Sequence, residues 1–265
     1  RGGHDQLVRT QAAVDPLLAQ GQALLHAEAM LFVDDHQGQA LELHLVLKQR
    51  VGADHHRRAA GERVASYGRH GLETHRALED AINTLEGGHR AFLTPSGLSA
   101  ITLVFLALLS PGDHVLVADS VYSPVRRVDS TLLQRLGITL EYFSPSRDDL
   151  AARIRDNTRL VYLESPSSLL YEVLDLPALA AIAAARGVTV ATDNTWSGGW
   201  FLQPLQLGVN ISIQAATKYL AGHSDVMQGV VVTDSPALTA KIASAYEALG
   251  LTIGADDAYL ALRGI

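Results

Sequence analysis

From residue 73 onward the apolar positions fall into alternating helical and extended stretches, with turn residues at the joints. Over 73–85, Leu78, Ile82 and Leu85 recur on one helical face, and the segment runs into Gly87-Gly88, a C-terminal stop signal. A second, strongly apolar helix is predicted to start just after Ser96-Gly97. The stretches 113–118, 139–143, 159–164, 188–192 and 210–214 are short, and several are apolar at consecutive positions, the pattern of strands covered on both faces. Residues 227–233 make a further strand candidate. Between them, 124–136, 147–156 and 177–186 predict crossover helices, the first and third with Pro near the first helical position. This alternation predicts an α/β fold, a three-layer α/β/α arrangement around a mostly parallel sheet.

Residues 1–60 differ in character. They contain no Ser, Asn, Ile, Tyr or Trp but hold His4, His26, His36, His44, His55 and His56. Helices over 16–32 and 40–51 are compatible with their Ala, Leu, Gln and Glu content, although neither has good caps. His55-His56 abuts Arg57-Arg58, whose charges would repel a cation, so a solvated polar stretch is the better reading than a metal site. The expected organisation is an atypical segment over 1–60, non-native or disordered, followed by one large domain over 61–265.

Composition narrows the function. The 265 residues are 48% hydrophobic and 18% charged, enough apolar material for one sizeable core. A net charge of −7 supplies no long-range attraction to phosphate backbones or anionic lipid, so nucleic acid and membrane are not expected partners. The absence of cysteine removes disulfides, thiolate metal sites and cysteine nucleophiles. The longest apolar runs, 103–109 and 178–185, fall far short of the ~20 residues of a membrane span. No signal-peptide pattern opens the chain, and the expectation is a soluble cytoplasmic protein.

In an open α/β sheet, ligands sit beyond the carboxyl ends of the strands, and three such places carry candidate chemistry. Ser96, Gly97 and Leu98 open an apolar helix, where the Ser96 hydroxyl, free N–H groups and the helix dipole could cradle an anion or merely cap the helix. The strand before Asp193 delivers a carboxylate into the polar turn Asn194-Thr195, able to hold a protonated ring nitrogen or to cap the next helix. Lys218 follows small residues at the end of a buried strand. There it either is desolvated toward the neutral form that condenses with carbonyls or snorkels to solvent. Together, a phosphate cradle, an aspartate and a Schiff-base lysine are the parts of a pyridoxal phosphate site.

The segment Ser212-Ile213-Gln214-Ala215-Ala216-Thr217-Lys218-Tyr219, continuing to Gly222-His223-Ser224-Asp225, resembles the lysine motif of the Cys/Met-metabolism pyridoxal phosphate enzymes. Tyr67-Gly68-Arg69-His70-Gly71, Leu85-Glu86-Gly87-Gly88, Leu163-Glu164-Ser165-Pro166 and Asp193-Asn194-Thr195-Trp196 fall in the order and spacing of that family. The lysine segment and the Asp-Asn-Thr-Trp run are most similar to its cystathionine β-lyase branch. The resemblance runs from about Val64 to the end. It implies the fold type I large domain, with Lys218 carrying the cofactor aldehyde, Asp193 on the pyridine nitrogen and Tyr122 stacked on the ring. It implies further that Ser96, Gly97, Leu98 and Thr217 bind the phosphate. Tyr67 and Arg69 would reach the phosphate of a neighbouring subunit, which implies a homo-oligomer, at least a dimer. The implied reaction is β-elimination of L-cystathionine, an amino-acid thioether, to homocysteine, pyruvate and ammonia in methionine biosynthesis.

Two departures qualify this. Members of the family continue past the region of Arg263-Gly264 into a smaller C-terminal domain that clamps the substrate carboxylate, whereas this sequence stops at Ile265, and residues before 61 do not resemble the family's N-terminal arm. The expectation is therefore a fragment or fused product with cofactor binding and little turnover. The alternatives are a γ-synthase or γ-lyase of the same family, or an inactive oligomerisation fragment. A nucleotide-binding protein has little support, since no Gly-x-Gly-x-x-Gly or Walker loop is present.

Overall fold

The computed structural model describes residues 67–265; the two helices expected over 16–32 and 40–51, and the segment 1–60, lie outside them. Seven strands form one sheet: β1 (Arg90–Thr94), β2 (His114–Ala118), β3 (Thr139–Phe143), β4 (Thr158–Glu164), β5 (Thr189–Asp193), β6 (Ile211–Gln214) and β7 (Gly229–Thr233). Their order is β1-β7-β6-β5-β4-β2-β3. β7 runs antiparallel to β1 and β6, and the other neighbours are parallel. The carboxyl ends of six strands therefore share one edge of the sheet with the amino end of β7. That edge is where a ligand of such a sheet belongs.

Among the described residues seven α-helices accompany the sheet: α1 (Glu73–Glu86), α2 (Gly97–Leu108), α3 (Pro124–Val128), α4 (Leu150–Arg153), α5 (Leu176–Ala184), α6 (Pro236–Leu249) and α7 (Ala255–Gly264). β2 and β7 are buried at every position and β4 at all but one, so both faces of the sheet are covered. Phe92, Phe105, Phe143 and Tyr162 are the bulkiest fully buried side chains, each worth roughly 1.5–3 kcal/mol of burial. Phe105 of α2 meets Tyr162 of β4 edge to face, with centroids 5.4 Å apart. No helix among the described residues is long and apolar enough to cross a membrane.

Local chemistry explains the helix ends. α1 buries Leu78, Ala81, Ile82 and Leu85 and stops where Gly87 turns left-handed at φ +67°, its N–H returning to the Asn83 carbonyl. α2 begins at Ser96, whose hydroxyl accepts from the Ser99 N–H while the Ser99 hydroxyl accepts from the Ser96 N–H, a reciprocal cap. The helix expected over 147–156 shrinks to the single turn α4. Asp148 takes the Ser144 N–H and Asp149 the N–H groups of Ala151 and Ala152, so two local side-chain acceptors delay helix entry. The helix expected over 124–136 is continuous in path but changes pitch, passing from α3 into a π turn (Asp129–Leu133) and a 3-10 turn (Gln134–Leu136). β1 and α6 carry no strong periodic signal; β1 finds its place only by pairing with β7.

The start of β7 is pressed against the start of α2. A Cβ on Gly229 would lie 2.2 Å from the Ser96 carbonyl oxygen and 2.5 Å from its carbon, both backbone atoms. Gly229→Ala is therefore expected to destabilise the chain by about 2–4 kcal/mol, because neither backbone can yield without opening the sheet. Urea unfolding of the variant beside the unaltered chain measures it.

Candidate active site

Asp193 is the last residue of β5 and is 9% exposed. One carboxylate oxygen accepts from both the N–H and the hydroxyl of Thr195, at 3.0 and 2.5 Å. The other oxygen has no hydrogen-bond partner among the described residues. Burial pushes this carboxyl above the ordinary aspartate range, and the two bonds from Thr195 pull it partly back. An acid so placed has a vacant acceptor for one further donor, such as a protonated ring nitrogen.

The Thr195 hydroxyl also accepts the Ala215 N–H at 2.8 Å, and the Ala215 carbonyl accepts the Lys218 N–H at 2.9 Å. A short relay thus joins the Asp193 carboxylate to the turn that carries Lys218. Lys218 itself is exposed, and its amine has no ion pair or hydrogen bond among the described residues. The desolvated lysine considered from the sequence is not found. β6 ends at Gln214, and the four residues that follow lift the side chain out of the buried strand. Ala215 also touches the anion cradle: a Cβ on Gly97 would sit 2.8 Å from the Ala215 Cβ, so the α2 terminus needs glycine there. The Ser96 hydroxyl is engaged by Ser99, and no hydrogen bond engages the N–H groups of Gly97 and Leu98 within the described chain. They are the usual free donors of a helix start.

Thr217 is fastened to the strand opposite. Its hydroxyl donates to the Gln228 carbonyl at 3.0 Å and accepts the Gln228 N–H at 2.9 Å. Tyr122, 42% exposed, follows β2, and its N–H donates to Glu164 at 2.6 Å. Ser96, Gly97, Leu98, Tyr122, Asp193, Thr217 and Lys218 therefore all lie at the same edge of the sheet. Tyr67 and Arg69 do not join them. They occupy an exposed turn ahead of α1, where the Arg69 guanidinium lies 5.5 Å from the Tyr67 ring centroid and Tyr67 meets His70 edge on.

Three residues that the sequence offered only as parts of family motifs, with no role assigned, acquire contacts here. Glu164, 2% exposed at the end of β4, accepts N–H groups from Tyr122 and Ser168 and lies in register with Asp193. Burial and the Asp193 charge push it up to about 7. Glu86, fully buried, accepts from Ser212, Gln214 and Asn194. Burial raises its carboxyl against those three bonds. Trp196 packs between Tyr171 and Tyr219, with centroids 5.2 and 5.7 Å away. The visible signal for the two glutamates was an acid at the end of an apolar element, in Leu85-Glu86-Gly87 and Leu163-Glu164-Ser165.

Comparison with known proteins identifies the family. The sequence model of a family described as Cys/Met metabolism PLP-dependent enzyme matches residues 45–265, beginning upstream of Val64. A cystathionine beta-lyase of Bordetella avium is 49% identical over 209 residues, 79% of this chain and 52% of that protein. A cystathionine beta-lyase of Escherichia coli is 40% identical over 213 residues, 78% of this chain and 53% of that one. Among solved structures, a cystathionine gamma-lyase of Lactobacillus plantarum complexed with L-serine superposes with a TM-score of 0.73 at 36% identity, covering 78% of this chain and 55% of the other. The chain spans about half the length of the curated relatives it matches.

The raised Glu164 carboxyl makes folding pH dependent. Between the ordinary glutamate value and about 7, the folded chain holds a proton that the unfolded chain has lost. The stabilisation from this proton is full at low pH and vanishes as pH rises through about 7. Relative to Glu164→Gln, the unaltered chain without added ligand should lose on the order of 2–3 kcal/mol of stability across that window. Denaturant titrations at several pH values measure the difference.

Proposed function

Because the chain belongs to the Cys/Met metabolism PLP-dependent enzyme family, we propose that residues 61–265 are the cofactor-binding domain of a pyridoxal phosphate-dependent carbon–sulfur lyase. Its proposed reaction is β-elimination of L-cystathionine to homocysteine, pyruvate and ammonia. The observation that carries the reading is Asp193, buried at a strand end with one carboxylate oxygen locked by Thr195 and the other open, and joined through Ala215 to the turn of Lys218. When bound, pyridoxal phosphate supplies an aldehyde that captures amines and a ring that takes up the electron pair left at an α-carbon.

The residues of the chain divide the remaining work. The N–H groups of Gly97 and Leu98, at the positive end of α2, receive the phosphate, with Ser96 opening the same turn; Thr217 joins them once its hydroxyl leaves the Gln228 carbonyl. Asp193 holds the proton on the ring nitrogen with its open oxygen. Tyr122 covers one ring face, its backbone fixed by Glu164. The Lys218 amine first holds the cofactor and then takes the α-proton of the substrate at Nζ. Tyr67 and Arg69, exposed and, among the described residues, turned toward each other and His70, are suited to a neighbouring copy, which makes the working form a homo-oligomer. A cytoplasmic place in methionine biosynthesis fits this chemistry.

The β-lyase reading rests on Asp193-Asn194-Thr195-Trp196, on the lysine segment and on the names of the relatives. Similarity to a gamma-lyase structure supports γ-elimination as the second reading. The products separate them, pyruvate from β-elimination and 2-oxobutanoate from γ-elimination.

Added pyridoxal phosphate should produce a visible band that borohydride abolishes, with the label mapping to Lys218 and absent from Lys218→Ala. A label retained on another lysine refutes the assignment. Asp193→Ala should weaken cofactor binding about 10–100-fold, the worth of one charge-assisted hydrogen bond. Spectrophotometric titration measures this, and unchanged affinity would show that the ring nitrogen is held elsewhere.

A further inference from the structure

Glu164 is assigned no contact with the cofactor, yet its side chain holds the backbone of Tyr122 and its strand position lies beside Asp193. One oxygen accepts the Tyr122 N–H at 2.6 Å and the other accepts the N–H of Ser168. These donors belong to two different loops, one after β2 and one after β4, so a single carboxylate ties both across the edge of the sheet. The groups that face it are few. Asp193 comes from β5, in direct register, and the Tyr162 hydroxyl from its own strand. Tyr122 and Ser168 offer backbone N–H, and the adjoining positions of β2 are Val117 and Ala118. Among the described residues no cation pairs with it.

We propose that Glu164 is a positioning residue whose carboxylate latches the Tyr122 loop to the end of β4, and that the charge it carries is set by what stands against Asp193. The proposal rests on the cofactor reading above. Two carboxylates side by side in a buried place resist carrying two charges, so one of them, Glu164 beside the Asp193 charge, keeps a proton. Burial and Asp193 together hold Glu164 up to about 7 in the chain alone. A protonated carboxyl is a weaker acceptor for two N–H groups than a carboxylate is, so the latch is looser in that state. A cationic ring nitrogen against the open oxygen of Asp193 offsets the repulsion. Glu164 then releases its proton, both N–H bonds become charge assisted, and Tyr122 is held over the ring that caused the change. Binding and proton release are thus linked, and affinity rises with pH through the window near 7.

The test uses deoxypyridoxine phosphate, which has the ring nitrogen and phosphate but no aldehyde, so no bond to Lys218 complicates the titration. Its affinity is measured between about pH 6 and about pH 8 for the unaltered chain, Glu164→Gln and Asp193→Ala. The unaltered chain should gain roughly tenfold more affinity over that range than Glu164→Gln. Amide exchange at Tyr122 should slow on binding only when Glu164 is present. A purely structural glutamate would lower stability in the variant and leave the two pH profiles parallel. Should Glu164→Gln fail to fold, infrared difference spectra of the unaltered chain labelled with 13C-glutamate supply the same answer: a protonated glutamic acid carbonyl band is lost on ligand addition, and no change overturns the proposal. Binding that depends on Asp193 with parallel pH profiles overturns this inference alone. Absence of binding to the unaltered chain overturns the cofactor reading and this inference with it.

Discussion

Asp193 is a carboxyl buried at the end of an apolar sheet, with one oxygen bonded and the other without a partner among the described residues, and several contacts around it follow from that placement. A carboxylate with no cation beside it is costly to bury, and the cost is met by donors on short tethers. Thr195 supplies two of them from the turn that follows the strand. The same hydroxyl accepts the Ala215 N–H, so the group that satisfies Asp193 also sets the distance between the ends of β5 and β6. The turn bearing Lys218 and the glycine contact at the head of α2 follow from that spacing.

Behind the sheet edge, Glu86 performs a related task from the other side. Ser212 and Gln214 turn toward α1 and donate to it, whereas Ile211 and Ile213 of the same strand turn into the main core. Asn194, next to Asp193, also donates to Glu86, and its amide oxygen accepts the Ser197 hydroxyl. Successive residues of β5 and its turn are therefore anchored on opposite faces. Strand alternation makes this possible: Asp193 opens toward the site and Asn194 is pinned behind it. Buried polar groups of this kind rigidify when each is satisfied, which suits positions that must hold a ligand to a fraction of an ångström.

At Glu164 two N–H groups from separate loops need an acceptor at each oxygen, and an amide would supply one at only one of them. Trp196, packed between Tyr171 and Tyr219, gives the adjoining turn its rigidity through aromatic contact instead of charge. Polar anchoring lies within the sheet edge and aromatic packing outside it, and Lys218 is exposed on the turn beside them.

The sequence by itself determined the layered α/β architecture, because buried parallel strands are short and apolar at consecutive positions and amphipathic helices between them repeat every three or four residues. Thr139–Phe143 falls where the pattern puts it, and the other expected strands differ by one or two residues. It also determined the family, through the run from Ser212 to Asp225 and its companions in order. Tertiary structure alone decided that β1 is a strand, since five residues acquire that state only by pairing with β7. It decided that Lys218 emerges into solvent, because the turn beyond Gln214 has no periodicity to read. It also decided what Glu86 and Glu164 do. Their partners lie on other elements, Ser212 and Gln214 far along the chain from Glu86 and Tyr122 far from Glu164, and a hydrogen bond between distant segments leaves no spacing in the sequence from which it could be inferred.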